Sequence, residues 1–119
     1  NDRLGHTAGD RVLGEIGAML QRELRAPDFV ARYGGDEFAC VLPETDGAGG
    51  RHFIERLRQV FARHTFVDLG PAQTLGISAG IVGYPHSQAL RPEDLFTLAE
   101  GALQRAKSLE PDRIAVAGG

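Results

Sequence analysis

Phe29-Val30-Ala31-Arg32-Tyr33-Gly34-Gly35-Asp36-Glu37-Phe38-Ala39-Cys40-Val41-Leu42 sets two short apolar runs on either side of a glycine pair. The runs Phe29 to Tyr33 and Phe38 to Leu42 have strand length. Gly34 and Gly35 supply the positive φ angles of a tight turn, so the stretch predicts a β-hairpin. Two adjacent carboxylates, Asp36 and Glu37, stand at its tip. Glycines let a phosphate approach the backbone, and carboxylate oxygens suit a hard cation such as Mg2+. The same letters also describe a turn kept wet by two acids. Strand alternation sends neighbouring side chains to opposite faces, so both acids serve one site only if the turn brings them round.

Before the hairpin, Thr7 and Asp10 have the spacing of a capping box, and Val12, Leu13, Ile16, Met19, Leu20 and Leu24 recur at helical intervals. These predict a first helix from about Ala8 to Leu24, ended by Pro27. After the hairpin, Pro43 to Gly50 reads as a turn. Phe53, Ile54, Leu57, Val60, Phe61 and His64 then mark one face of a second helix. Leu75 to Val82 alternates with small residues and predicts a strand that backbone or ligand can approach closely. Pro92 at N1, acids in the first turn and the series Leu95, Leu98, Ala99, Ala102, Leu103, Ala106 predict a third helix before Pro111. Ile114 to Ala117 completes the order as a last strand. Helix, hairpin, helix, strand, helix, strand implies an α/β (α+β) sandwich with helices packed on a central sheet.

The chain has 119 residues, enough for one domain with its own core, and is 42% hydrophobic and 24% charged. No apolar run approaches the roughly 18 residues of a membrane span, so no membrane contact is expected of this domain. A net charge of −3 without a basic run argues against a nucleic acid polymer and leaves small anions open. The lone cysteine, Cys40, falls in an apolar run and is expected to be buried. His52, His64 and His86 lack metal-ligand spacing, and no zinc is expected. The chain opens on Asn1, which suggests a piece of a longer protein.

Asn1-Asp2, Gly5-His6, Gly9-Asp10, Arg25-Ala26-Pro27-Asp28, Arg32 to Phe38 and Leu42-Pro43 follow one another in the order and spacing of the GGDEF family. Ile77-Ser78-Ala79-Gly80 and Ala99 to Lys107 resemble its second half. The chain thus resembles a single GGDEF domain over residues 1–119, truncated at its N-terminal strand. The resemblance implies a central, mostly antiparallel sheet flanked by helices, related to nucleotide cyclases and polymerase palms. It also implies a diguanylate cyclase working as a homodimer, condensing two GTP molecules into cyclic di-GMP with release of pyrophosphate and using Mg2+ or Mn2+. A bacterial, cytoplasmic output domain of a larger protein is the corresponding expectation.

By the same resemblance, Asp36 is the metal-binding acid and proposed base, and Glu37 supports metal and phosphate. Gly34 and Gly35 open the backbone to the phosphates. Asn1 and Asp10 read guanine, His6 touches substrate and Lys107 meets the terminal phosphates. Asp10 as a helix cap competes with its role as a reader. Arg25, Asp28 and Arg56 match an inhibitory site for the product, where arginine forks suit phosphate and guanine edges. The alternative for these three is a solvated helix end and a surface arginine.

The sequence also departs from the family. The first strand, with a further metal-binding aspartate, would precede Asn1. Glu110-Pro111 replaces the usual Gly-Arg, with Arg113 nearby, and Gln104 replaces a tyrosine. The fragment alone is therefore expected to turn GTP over poorly. A catalytically weak domain that binds GTP or cyclic di-GMP for regulation is the alternative function.

Overall fold

The computed structural model describes residues 2–34, 37–66 and 76–118, with the side chains of 2–8, 33 and 34 left out of the description. The chain divides into two units, one from residues 1–43 and 59–75 and the other from 44–58 and 76–119.

The first unit opens with α1 (Asp2–Glu23). Among its described side chains Val12, Ile16, Met19 and Leu20 are buried, the i, i+4, i+7, i+8 stripe that a helix turns toward a core. The helix starts six residues before the expected Ala8, so Thr7 and Asp10 lie inside it and not at its boundary. Extending a nucleated helix through Gly5, His6 and Thr7 costs about 1 kcal/mol or less per residue, so a capping-type residue need not be a boundary.

β1 (Phe29–Gly34) and β2 (Glu37–Val41) form the antiparallel ribbon expected from the two apolar runs. Phe29 faces Val41, Val30 faces Cys40, Ala31 faces Ala39 and Arg32 faces Phe38, after which the register slips and Gly34 faces Glu37. Tyr33 is the extra residue on β1. The Phe38 ring lies against Gly17 of α1, where a Cβ would stand 3.5 Å from it. Cys40, expected to be buried, is exposed, as are Phe29 and Val41. A two-stranded ribbon cannot enclose its own side chains, and an apolar run need not be a buried one.

The unit closes with the end of α2 (Gly47–Arg63), from Gln59 onward, and the residues up to Phe66. Buried Phe61 and Phe66 meet edge to face at 6.0 Å. The His64 ring stands edge-on to Phe66 at 4.6 Å, and its Nε2 pairs with the Glu15 carboxylate of α1.

The second unit holds the start of α2, β3 (Ala79–Ile81), α3 (Pro92–Ala106) and β4 (Ile114–Val116). α2 begins within the expected turn because Asp46 caps it: the Asp46 Oδ1 accepts the Gly49 N–H at 2.8 Å and its carbonyl accepts the Gly50 N–H at 2.9 Å. β3 and β4 pair in parallel, Ala79 with Ile114 through Ile81 with Val116, in contrast to the antiparallel ribbon of the first unit. α3 is the crossover between them, as a parallel pair requires.

β3 is shorter than the predicted strand. Leu75 lies outside the described residues, and Gly76 to Ser78 is not strand. The Arg58 guanidinium takes the Ile77 carbonyl, a backbone acceptor that a ladder would use, and Ser78 Oγ accepts from Arg113 Nε at 2.6 Å. Ala102 and Ala106 of α3 pack with Ala115 and Ala117, with Val82 and Leu98 against them. Such small residues let helix and strands come close, and the closest approach is at Gly80.

Pro92 occupies N1 of α3 as expected. The Asp94 carboxylate accepts the Leu90 and Arg91 N–H groups, each at 2.9 Å. These bonds, more than the neighbouring Arg91 charge, hold its carboxyl below the ordinary 3.8. The cap is complete at neutral pH and is lost as pH falls through that lowered value.

Candidate functional site

The ribbon sets Gly34, the last residue of β1, opposite half-buried Glu37, the first of β2. The tip between them, Gly35 and Asp36, lies outside the described residues, as does Asn1. The extra residue at Tyr33 adds a bulge just before the tip. A bulge bends its strand and re-aims neighbouring side chains, whereas how Asp36 stands to Glu37 lies outside the described residues.

His6 and Asp10 both belong to α1, and Asp10 is exposed there, inside the helix rather than at its cap. Lys107 is exposed at the C-cap of α3 in the second unit, with its N–H on the Leu103 carbonyl at 3.1 Å. Arg113, in the same unit, has its guanidinium on Ser78 Oγ and on the Glu110 carboxylate, both at 2.6 Å. Among the described residues no group of three potential metal ligands converges. Glu37 is the tip carboxylate that the structure describes. An open depression of about 500 Å3 lined by Glu44, Thr45, Asp46, Gly49 and Tyr84 contains none of the residues singled out from the sequence.

Arg25 and Asp28 come together in a closed turn. Arg25 Nε donates to Asp28 Oδ2 at 3.1 Å, its terminal Nη2 donates to Oδ1 at 2.9 Å, and the Arg25 backbone N–H reaches Oδ2 at 2.8 Å. The Asp28 N–H returns to the Arg25 carbonyl at 3.0 Å. Such a fork on a carboxylate is directional and charge-assisted, and it presents the rest of the guanidinium in one orientation. Nη2 also donates to the Pro43 carbonyl at 2.8 Å. Sequence reasoning missed that acceptor: Leu42-Pro43 stood out as a motif, but a backbone carbonyl has no letter of its own. Arg56 is exposed on α2 in the second unit, with its guanidinium carbon 5.3 Å from the centre of the Phe53 ring.

The thiol of Cys40 is pushed up from 9.0 to about 11, first by desolvation from the protein around it and then by the Asp28 carboxylate. At pH 9 the unfolded thiol is about half ionised and the native one about 1%, so iodoacetamide is expected to alkylate the native domain about fiftyfold more slowly. The native state keeps a proton that the unfolded chain releases, so stability declines as pH rises from about 9 toward 11. Equal alkylation rates in buffer and in denaturant would rule out this shift.

The chain matches the family described as diguanylate cyclase, GGDEF domain, over residues 1–113. It is 43% identical over 98% of its length to the diguanylate cyclase DgcP of Pseudomonas aeruginosa, of which it spans 17%. Its fold superposes on the GGDEF domain of TpbB (YfiN) from the same species with a TM-score of 0.84 and 33% identity, covering all of this chain and 74% of that one. It also superposes on the GGDEF domain of DgcB from Caulobacter crescentus, solved in complex with c-di-GMP, with a TM-score of 0.77 and 28% identity, covering 98% of this chain and 69% of that one. With its α+β architecture, its glycine-tipped ribbon and this likeness along nearly its whole length, the chain belongs to the GGDEF family of diguanylate cyclase domains.

Proposed function

We propose that residues 1–119 are one GGDEF domain that, within its parent protein, condenses two GTP molecules into cyclic di-GMP across a homodimer and releases pyrophosphate. One observation carries this reading: Gly34 and Glu37 face each other across a ribbon whose tip is, by sequence, Gly35-Asp36. Glycine backbone there admits phosphate oxygens, and adjacent carboxylates suit a divalent cation. Asp36 and Glu37 would hold Mg2+ or Mn2+, which neutralises phosphate charge and makes a hydroxyl more acidic. Asn1 and Asp10 read the guanine edge, and His6 contacts substrate. Lys107 offers a cation to the terminal phosphates. Arg113 is engaged with Glu110, so Lys107 is the stronger candidate for this role. A bacterial cytoplasmic setting fits GTP as substrate.

The test is incubation of the full-length parent with GTP and Mg2+, read by chromatography. Cyclic di-GMP and pyrophosphate are expected. Saturable guanine-nucleotide binding without product would leave the regulatory domain as the function instead.

Arg25, Asp28 and Arg56 are proposed as a product site, and the preformed Arg25–Asp28 fork supports that reading. A hydrogen bond to a charged group is worth about 1.5–3 kcal/mol, so Arg25→Ala is expected to weaken cyclic di-GMP binding about ten- to a hundredfold. Titration calorimetry measures this directly. An unchanged affinity would remove Arg25 from the site.

A further inference from the structure

α1 carries Asp10, proposed above to read guanine, and five residues further along it carries Glu15. Five residues of helix are about 7.5 Å along the axis and about 140° around it, so a partner at Glu15 grips the helix from a different side than the one Asp10 addresses. His64, just past the end of α2, is that partner. Its Nε2–H donates to the Glu15 carboxylate, its ring stands edge-on to Phe66 at 4.6 Å, and its backbone N–H is tied to the Phe61 carbonyl at 3.2 Å. Phe61 and Phe66 are 4% and 3% exposed and meet edge to face, so the imidazole reaches α1 from a buried aromatic seat.

We propose that His64 is a positioning residue for guanine recognition: through Glu15 it fixes the roll of α1 about its axis, and with it the direction of the Asp10 carboxylate. The inference rests on the reading of Asp10 given above. Apolar burial is non-directional, so the stripe Val12, Ile16, Met19 and Leu20 holds α1 against the core more firmly than it fixes the helix's roll. Gly9 and Gly14 add no side chain to oppose a roll, and nothing stands within 4 Å of a carbon added at either. The bond from His64 is directional and supplies what the stripe lacks. A side-chain tip lies about 6 Å from the helix axis, so a roll of about 10° moves it by about 1 Å, enough to spoil a hydrogen bond to a base edge. The N1–H and 2-amino groups of guanine are donors that a carboxylate accepts. Guanine is remote from the reacting phosphate, so losing such a bond weakens the ground state and the transition state alike and falls on KM.

Kinetics of the full-length parent with GTP and with ITP, which lacks the 2-amino group, test this on the wild type, His64→Ala and His64→Gln. His64→Ala is expected to raise KM for GTP by about three- to tenfold, the equivalent of one hydrogen bond, with kcat within about twofold of the wild type. The preference for GTP over ITP in kcat/KM is expected to shrink by a similar factor. His64→Gln keeps an amide donor near the place of Nε2 and is expected to restore most of both. Glu15→Ala removes the same contact from the α1 side and is expected to match His64→Ala, with the double variant no worse than either. Unchanged KM and preference in His64→Ala overturn the proposal. So does a fall in kcat and Tm with the preference intact, or a His64→Gln no better than His64→Ala. Asp10→Ala, run in parallel, separates the two readings. If it keeps the wild-type preference, Asp10 does not read guanine and the positioning role falls with it; if it loses the preference while His64→Ala keeps it, the reader stands and only the role of His64 falls. Calorimetric Kd values for GTP and ITP give the same ratios if the parent binds nucleotide without turnover.

Discussion

Asp36→Ala and Glu37→Ala, each placed in the full-length parent, are expected to lower cyclic di-GMP formation by more than about a hundredfold while the thermal midpoint moves by no more than a few degrees. Losing a group that merely orients a metal ligand already costs ten- to a hundredfold, so losing a carboxylate that touches the ion should exceed that range. Stability should be spared because Glu37 is half-buried at the very end of β2, where the ribbon buries little. Glu37→Gln separates charge from shape: if the carboxylate serves the ion, the amide should fail nearly as badly as alanine. Product formation at the wild-type rate in either alanine variant, measured by chromatography at saturating GTP and Mg2+, would remove the metal-site reading. A parallel loss of folding would mean that the ribbon end matters structurally instead.

Gly80→Ala should destabilise the chain more than alanine at any other glycine that the structure describes. A Cβ at Gly80 would fall 2.3 Å from both the Ala99 carbonyl oxygen and the Leu103 nitrogen, and 2.8 Å from the Leu103 Cα. All three are backbone atoms of α3, so no rotamer change relieves the clash. The helix must move off β3, and the packing of Ala102 and Ala106 against Ala115 and Ala117 must open. Overpacking typically costs about 1–3 kcal/mol, and a clash with rigid backbone belongs at or above the top of that range. For a domain of this size that is a fall of about 10 °C or more in Tm. Gly14→Ala is the matched control: it lies within α1, nothing stands within 4 Å of the added carbon, and replacing a helical glycine should stabilise by about 0.5–1 kcal/mol. A scanning-calorimetry result in which both substitutions shift Tm alike would show that the approach at Gly80 is not as tight as described.

How much of this was legible in the letters depended on whether the deciding contacts were local. The hairpin could be read because its apolar runs and glycine pair form one continuous stretch. The three helix faces could be read because periodicity is a local property, and Val12, Ile16, Met19, Phe53, Leu57, Phe61, Ala102 and Ala106 are buried as their spacing predicts. The start of α1 was misplaced because Thr7 and Asp10 imitate a boundary inside a continuing helix. The start of α2 was hidden because Gly47 to Gly50 looks like loop until Asp46 is seen to cap it. The parallel pairing of β3 with β4 depends on residues 35 positions apart, and nothing in either run names its partner. At the candidate site, Arg25 and Asp28 stand three residues apart, so a single turn suffices to join them. The exposure of Cys40 and the Pro43 acceptor depend on how strands are paired and on backbone atoms, which spacing alone does not reveal.

The extra residue at Tyr33 gives chain length a meaning of its own at the tip. Below it each residue of one strand matches one of the other, and above it the count is offset by one. Deleting position 33 would preserve every letter of Gly34-Gly35-Asp36-Glu37, yet it would restore an even count and remove the bend and added twist that the bulge gives β1 beside Gly34. Exchanging Tyr33 for another side chain leaves that parity untouched. A lineage or an engineer can therefore vary the chemistry at position 33 far more readily than its presence, and a related sequence with an intact signature but one residue fewer before it carries the inscription without the arrangement.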